Sequence, residues 1–429
     1  MRSLLAMLAS VTLLAPACAI VWGFEEGRER LPDGGGIDGT SSSSSGGSSS
    51  GGFDVDASTP IPDGCKDREA GPGLFVDSVT GSVDGPCSMD QPCRSLQYAI
   101  DRVDADDVTI HVADGTYNES IHLGEAQLGR GLRIEGRWRI VEGSWTPSCE
   151  EDGGFMLRGM SDPGADAYAV VVRAHAERGE PEGGEPEDVG DAGEDAAAPQ
   201  QRLDLTLAYA TVRSEDSNNA GKSSYAMFVV HGRVAIESAQ LIAGHGAAGA
   251  DGAPYTAAAS GTGSDCFNDG ANGRHGSAIA PGEWTENGWG VKGERSDRAS
   301  AGDPGACCAY GGQPGADGAG GGASVALFLW DSTTTLTHSS LAALGGGGGG
   351  NGAPGQAGAT AWPCKNGGGT GGTGSPAPGG ATVCIVRAES SGLGGDWTAN
   401  DCTLPESPAP GGTAGDLGAS PGPYAPILP

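Results

Sequence analysis

Aromatic and basic residues are scarce in this chain. Of its 429 residues, 5% are Phe, Trp or Tyr, and 24 Lys and Arg stand against 55 Asp and Glu, for a formal net charge of −31. Nucleic-acid binding depends on Lys and Arg that neutralise phosphates, so this charge balance excludes nucleic acid as a partner. A chain so rich in glycine and so poor in large apolar side chains also cannot bury a conventional core along its whole length.

The motifs of common catalytic and metal centres are missing too. The sequence has no P-loop and no H-E-x-x-H, and no C-x-x-C or H-x-H pair that would predict structural zinc. The acidic run 177–195 lacks the spacing of an EF-hand loop. Gly-Ala-Asp-Gly occurs at 249–252 and 315–318 without the tandem nine-residue period of calcium-binding repeats. We therefore expect no cofactor, and calcium is the one metal that these segments leave open.

Glycine is the residue that the chain has in excess, with 79 Gly beside 27 Pro. It recurs at every third position in several runs: Gly246, Gly249, Gly252; Gly312, Gly315, Gly318, Gly321; Gly349, Gly352, Gly355, Gly358. A period of three is that of a polyproline-II helix, and Gly along one edge would let such helices pack side by side. The insertions 244–322 and 345–380 are therefore predicted to be either packed helices of this kind or disordered.

The N-terminus predicts export. Arg2 precedes an apolar stretch, Leu4–Ala15, that is too short to span a bilayer, and small residues then lead to Cys18. This arrangement resembles a bacterial lipoprotein signal, which implies a signal peptide at 1–17 and lipidation of Cys18. The alternative is cleavage after Ala17 or Ala19 without a lipid. Residues 18–63 are Gly/Ser-rich and predict a flexible tether, so we expect a lipoprotein of the outer membrane or cell surface that contacts the membrane only through its lipid, or otherwise an extracellular protein.

Ten further cysteines follow Cys18, and an even number behind an export signal predicts five disulfides. They are Cys65, Cys87, Cys93, Cys149, Cys266, Cys307, Cys308, Cys364, Cys384 and Cys402. The sequence does not determine their connectivity. Cys87 and Cys93 are close enough in the chain to close a tight loop, and Cys65 is one candidate partner for Cys149.

Residues 74–135 carry the clearest structural pattern. Leu96, Ala99, Ile100 and Val103 have the spacing of a short amphipathic helix. Apolar residues alternate with polar ones in short strands that recur about every eleven residues, with glycines at the expected corners: Ile110 and Val112; Ile121 and Leu123; Leu132 and Ile134; Gly115, Gly124, Gly131 and Gly136.

The order of these elements resembles the opening of secreted right-handed parallel β-helix proteins of the pectin-lyase-like class. The matching residues are Phe75–Asp77, Pro92–Ala99, Val112–Tyr117, Glu119 and Ile121. The resemblance implies an all-β fold, a right-handed parallel β-helix solenoid with a short N-terminal capping helix. The glycine runs resemble the PGRS-like repeats of bacterial surface proteins.

A repeat extends this pattern. The stretch 225–254 returns from Val325, and we align Phe228, Val230, Val234, Ile236 and Leu241 with Leu327, Leu329, Thr333, Thr335 and Leu341. The predicted β-helix domain therefore covers 64–402, with a disordered acidic insertion at 176–200 and a Pro/Gly-rich tail at 403–429. In the last predicted strand, 381–388, alternation directs Val383 and Ile385 inward and Cys384 outward.

Catalytic cues are weak. Gly244-His245-Gly246 matches a triplet of β-helix polygalacturonases, but their N-T-D and R-I-K motifs are absent, and Asp106-Asp107 precedes the core strands. The central strands offer only Asp204, Glu215, Asp216 and Glu237 as carboxylates. Trp138 and Trp145 either stack on a sugar or cover the side of an early coil, and we favour the latter.

We predict a structural or adhesive surface protein without a catalytic site, whose partners are extracellular polysaccharide or other surface proteins. The alternative is a polysaccharide lyase or glycoside hydrolase. That alternative requires carboxylates that converge on one groove of the parallel-strand face.

Overall fold

The structure, a computed structural model, describes residues 65–127, 129–150, 154–174, 203–255, 272–291, 298–304, 311–359 and 368–428. Cys18, the predicted signal peptide and tether, and the predicted acidic insertion lie outside these residues. Within them, no helix is long and apolar enough to cross a membrane.

Regular structure is almost entirely β. The elements in chain order are β1 (Leu74–Val76), α1 (Leu96–Ile100), β2 (Val108–Ala113), β3 (Gly115–Asn118), β4 (Ile121–Leu123), β5 (Gly131–Val141), β6 (Ser144–Pro147), β7 (Phe155–Gly159), β8 (Ala167–Arg173), β9 (Leu203–Ala208), β10 (Ala210–Ser214), β11 (Ser224–Val230), β12 (Gly232–Glu237), β13 (Gln240–Ala243), β14 (Glu283–Thr285), β15 (Gly288–Gly290), β16 (Ser324–Trp330), β17 (Thr333–Thr337), β18 (Ser340–Ala343), β19 (Thr382–Ala388), β20 (Gly392–Gly395), β21 (Cys402–Thr403), β22 (Thr413–Ala414), β23 (Leu417–Gly418) and β24 (Tyr424–Leu428).

Three sheets of parallel strands contain most of these elements. Sheet 1 has the order β1-β2-β5-β9-β12-β17-β20, with β6 added antiparallel to β5. Sheet 2 has the order β3-β7-β10-β13-β18-β21, and sheet 3 the order β4-β8-β11-β16-β19-β24. From β2 onward the chain visits sheets 1, 2 and 3 in turn and then repeats the cycle, which confirms the prediction of an all-β, largely parallel fold.

The repeat has a constant offset of 100 residues. Phe228 pairs with Phe328 and Val230 with Trp330 on sheet 3. Val234 pairs with Thr334 and Leu241 with Leu341 on the other two sheets. Our alignment, which paired Phe228 with Leu327 and placed a slip near its end, is therefore wrong by one residue over most of its length. The strands β8, β11, β16 and β19 of sheet 3 share one irregularity.

That irregularity is a pair of consecutive inward residues. Ala226 and Met227 both face the main apolar core, as do the pairs 169–170 and 326–327 in the neighbouring strands. Strict alternation fails at this point. For the same reason the directions predicted for Val383 and Cys384 are wrong. Cys384 and Ile385 are the corresponding inward pair in β19, and Val383 lies in the apolar cluster on the other face of the sheet.

The predicted helical stripe is confirmed in α1, since Leu96, Ala99, Ile100 and Val103 are all buried. Glu119 caps this helix: its carboxylate accepts hydrogen bonds from the backbone N–H of Leu96 at 2.7 Å and of Gln97 at 3.3 Å. The buried hydroxyl of Tyr117 donates to backbone carbonyl oxygens of neighbouring elements. Two residues of the matched motif thus join the helix and the first coils.

Left-handed residues form the corners. Tyr209, Ser238 and His338 have φ of 57°, 47° and 49° where sheet 1 passes to sheet 2, and His231 and Asp331 have φ of 57° and 44° where sheet 3 passes to sheet 1. Backbone hydrogen bonds join the corners of successive coils. For example, the N–H of Ser238 donates to the carbonyl oxygen of Thr337, which directly precedes the next corner residue, at 2.8 Å. Of the glycines predicted at corners, Gly115 has a positive φ, 147°, while Gly124, Gly131 and Gly136 do not. Gly124 directly follows β4 and Gly131 begins β5, whereas Gly136 lies within β5, so the predicted corner is wrong for Gly136.

The outer face of sheet 3 carries a second apolar cluster. Tyr225 stacks on Tyr168, and Phe228 stacks on Phe328 with ring centroids 4.5 Å apart. The hairpin β14–β15 covers these rings, with Trp289 buried among them. The hydroxyl of Tyr225 accepts a hydrogen bond from the Trp289 backbone N–H at 2.8 Å, which ties the hairpin to the sheet.

Tyr225→Phe should lower the free energy of unfolding by about 2 kcal/mol, because it leaves the buried Trp289 N–H without its acceptor. Tyr168→Phe is the matched control, since its hydroxyl approaches the Asp166 carboxylate at 3.3 Å and is only part-buried. We expect that control to cost less than about 1 kcal/mol. Equal losses in denaturant unfolding would refute this role of Tyr225.

The glycine runs are packed against one another. Three runs leave sheet 2 and three return to sheet 3: 244–255, 345–359 and 405–413; 311–323, 368–381 and 418–423. Gly246, Gly249 and Gly252 donate backbone hydrogen bonds to the carbonyls of Gly345, Gly348 and Asn351 at 2.8–2.9 Å, a register that advances by three residues. We call these six runs the glycine bundle.

The backbones of neighbouring runs approach so closely inside this bundle that only glycine fits. A Cβ built on Gly249, Gly318 or Gly350 would lie against a backbone carbonyl oxygen of a neighbouring run, well inside van der Waals contact. Of the two predicted alternatives for the insertions, packed runs therefore hold for the described parts 244–255, 311–322, 345–359 and 368–380. Neither alternative holds for 283–290, which form the antiparallel hairpin β14–β15.

The predicted tail belongs to the same packed structure. Strand β24 pairs with β19 in sheet 3, and Gly412 N donates to Ala377 O at 2.8 Å within the glycine bundle. The prediction that residues 403–429 lie outside the folded domain is therefore wrong for the described residues 403–428.

Candidate functional site

The outer face of sheet 1 presents rows of polar side chains. One row runs across five strands and is polar except at Ala235; its members are Thr109, Arg133, Thr206, Ala235 and Thr335. These positions are partly or fully exposed, whereas their chain neighbours, such as Ile110, Ile134 and Leu207, are buried in the core. Period-two alternation therefore directs the polar residues to one surface.

A cavity of about 580 Å³ opens on this face. Its wall is formed by the loop before β2 and by β5 and β9; the lining residues are Asp106, Asp107, Thr109, Gly129, Gly131, Leu132, Arg133, Asp204 and Thr206. The Asp107 carboxylate occupies the space that a Cβ on residue 131 would fill, so this position needs glycine. Asp106 and Asp107, which sequence reasoning set aside as preceding the core strands, thus share a cavity with Asp204, because β2 and β9 both pair with β5.

Ion pairs order the charged side chains of this face. Arg133 contacts Glu237 at 3.0 Å and Glu135 at 4.0 Å, and Arg233 lies 3.6 Å from Asp204. Carboxylates nevertheless outnumber guanidinium groups around the cavity. The face is consequently acidic and suited to ligands that carry hydrogen-bond donors.

A caged guanidinium lies at the end of the same face. The Arg68 side chain packs between the rings of Trp138 and Tyr209, with its Cζ 4.5 Å and 4.3 Å from the ring centroids. It pairs with the Glu135 carboxylate at 3.0 Å and donates to Gly136 O at 3.0 Å. Burial lowers the pKa of Arg68, and Glu135 opposes this shift. We call Trp138, Tyr209, Glu135 and Gly136 the cation cage.

The buried His111 and a small apolar cluster lie behind the cage. His111 is 2% exposed, and burial lowers its pKa, so the imidazole is neutral near pH 7. Trp138 and Trp145 are buried with Phe75 and Ala113 in a small apolar cluster. Neither indole presents a free face for sugar stacking, which agrees with the interpretation that we favoured.

The disulfides of the described residues join Cys65 to Cys149, Cys87 to Cys93 and Cys384 to Cys402. The first fastens the Arg68 segment to the end of the β5–β6 hairpin. The third lies at the edge of the main core, where Cys402 is partly buried. Cys266, Cys307, Cys308 and Cys364 fall outside the described residues.

The remaining candidates have structural partners. The ring of His245 lies 3.1 Å from the Asp216 carboxylate, and this hydrogen bond lowers the pKa of Asp216. In the two Gly-Ala-Asp-Gly segments, Asp251 accepts hydrogen bonds from Asn351, and Asp317 accepts one from Ser375 N. Across the described part of the chain, no group of three or more His, Cys, Asp or Glu is arranged to hold a metal ion.

Comparison with known proteins gives no relative: no family model matches the chain, and neither a curated protein nor a solved structure matches it. The geometry of sheet 1 and of the glycine bundle is therefore what indicates a function.

Proposed function

We propose that this protein is an exported structural or adhesive surface protein that binds an extracellular polysaccharide along the outer face of sheet 1. The observation that carries the proposal is the cavity beside Asp204, Arg133 and Thr206, which continues into polar rows across parallel strands. Hydroxyl, carboxylate and guanidinium groups in register offer the acceptors and donors that sugar hydroxyls require.

The scaffold in this proposal is a right-handed parallel β-helix of the pectin-lyase-like kind. The cyclic visiting of three parallel sheets and the constant offset of 100 residues support it. Polyproline-II-like helices, similar to PGRS repeats, form the glycine bundle, and the three-residue hydrogen-bond register supports that conformation. A rigid coil with a packed projection suits a protein that presents a fixed surface.

Export and anchoring complete the proposal. Three disulfides among the described residues fit an oxidising compartment. Lipidation of Cys18 and a tether at 18–63 would place the folded part at the outer membrane or cell surface. No cofactor is needed for binding of this kind.

The test of binding is an affinity measurement against immobilised polysaccharides. Asp204→Ala should weaken binding about tenfold or more, because it removes a charged hydrogen-bond acceptor from the cavity. Asp416→Ala, at an exposed turn away from the cavity residues, is the matched control and should bind as wild type. Unchanged binding by the Asp204 variant would remove sheet 1 from the proposal.

The second candidate is a polysaccharide lyase or hydrolase. The sharing of one cavity by Asp106, Asp107 and Asp204, with Arg133 beside them, favours it, because such enzymes need converging carboxylates. The purified protein is incubated with a polysaccharide panel, and reducing ends and unsaturated products are measured. Turnover that Asp204→Asn abolishes without loss of binding would replace the binding proposal by this one.

A further inference from the structure

We infer that the ligand of the sheet 1 face is a cationic glycan, an amino-sugar polysaccharide with free amino groups. The inference rests on the proposed function and specifies its ligand. Two features carry it: the cation cage, and the acidic cavity to which the cage is joined.

The cage shows which chemical group this end of the face accepts. It already holds one cation, the Arg68 guanidinium, between two aromatic rings and against a carboxylate and a backbone carbonyl. Aromatic faces, an anion and a carbonyl oxygen together select a desolvated cation. The Arg68 segment of the chain itself thus occupies a cation subsite of sheet 1.

The cage and the cavity belong to one surface. Glu135 pairs with Arg68 in the cage and also contacts Arg133, which lines the cavity. Beyond Arg133 lie the carboxylates of Asp106, Asp107 and Asp204. A polymer that follows the strands would meet separate acidic positions, and protonated amines at intervals along it would satisfy them.

The other ligand classes fit less well. An acidic polysaccharide would be repelled by this face and by a chain whose formal net charge is −31. The cavity wall is formed by Thr109, Thr206, glycine backbone and one apolar side chain, Leu132, so it offers hydrogen bonds rather than apolar pockets for a peptide. Hydroxyl groups and amines on the same polymer match both the threonines and the carboxylates.

The experiment compares three oligosaccharides of equal length by isothermal titration: glucosamine, N-acetylglucosamine and galacturonate oligomers, at a pH where the amines are protonated. We expect the glucosamine oligomer to bind about tenfold tighter than its acetylated counterpart, as the loss of a charged hydrogen bond predicts. Galacturonate should bind most weakly. Asp204→Asn should remove most of the preference for the free amine while it leaves the affinity for the acetylated oligomer within about twofold.

The variant Arg68→Ala provides an independent test of the cage as a cation subsite. It vacates the cage while the Cys65–Cys149 link remains, so affinity for the glucosamine oligomer should rise several-fold. Unchanged affinity in a folded variant would overturn the cage as a subsite, and if that variant unfolds, the Asp204→Asn comparison decides the inference.

Failure of the inference and failure of the proposed function give different results. Equal or tighter binding of the acetylated oligomer would overturn the cationic ligand but leave polysaccharide binding standing. No binding of any oligosaccharide, with binding of a Lys-rich peptide instead, would overturn both the inference and the proposed function.

Discussion

Gly350→Ala is expected to lower the free energy of unfolding by about 3 kcal/mol. Gly350 is buried in the glycine bundle, donates to Ala319 O at 2.8 Å and accepts from Ala377 N at 3.0 Å. A Cβ at this position would lie against the carbonyl oxygen of Ala250. The neighbouring runs would have to separate, and the hydrogen bonds on both sides would lengthen. Denaturant unfolding measures the loss.

Gly348→Ala is the control in the same run. A Cβ there has ordinary contacts, with Pro410 Cγ at 3.6 Å, and its φ is not in the left-handed region. We expect no loss and a gain of up to about 0.5 kcal/mol, since alanine restricts the unfolded chain. Equal losses for the two variants would mean that close packing does not explain the glycine period.

Removal of the Cys65–Cys149 disulfide, by Cys65→Ser with Cys149→Ser, should cost about 4 kcal/mol. The two cysteines are 84 residues apart in sequence, so the link strongly restricts the unfolded chain. It also holds the Arg68 segment over Trp138. Its loss should therefore expose that indole and shift its fluorescence to longer wavelength.

The Cys87–Cys93 link provides the comparison. It closes a separation of 6 residues, so Cys87→Ser with Cys93→Ser should cost about 2 kcal/mol and leave the Trp138 environment unchanged. A larger loss for this pair than for Cys65–Cys149 would contradict the chain-entropy account of their contributions.

The sequence predicted features that depend on local periodicity. The stripe of Leu96, Ala99 and Ile100 identified the helix, and alternation at Ile110 and Val112 identified a strand, because helical and β periods are visible over a few residues. The glycine period of three identified runs that can pack closely. The resemblance carried by the same residues implied that the fold is mainly parallel β.

Long-range juxtapositions were not predictable in the same way. Asp106 and Asp204 line one cavity because β2, which follows Asp106, and β9, which contains Asp204, both pair with β5, and no local pattern records that pairing. The double inward position in sheet 3 reversed the direction of Cys384 relative to strict alternation. The cation cage joins Arg68, Trp138 and Tyr209 from three distant segments, and only the assembled sheet reveals it.

Two parts of the molecule have different proposed roles. Sheet 1 carries the polar face and the cage, while the glycine bundle grows from the passages between sheets 2 and 3. Both depend on the same constant register, since Asp251 and Asn351 in the bundle are offset by 100 residues, as are Val234 and Thr334 in the sheet. The proposed ligand face requires that register to be rigid.

Amide hydrogen exchange across residues 345–353 tests most directly whether the glycine runs form an ordered bundle. The account predicts slow exchange at Gly347, Gly349, Gly350 and Gly352, whose N–H groups donate to backbone carbonyls of other runs at 2.8–3.0 Å. Rates at these four amides equal to those of an unstructured peptide would contradict it.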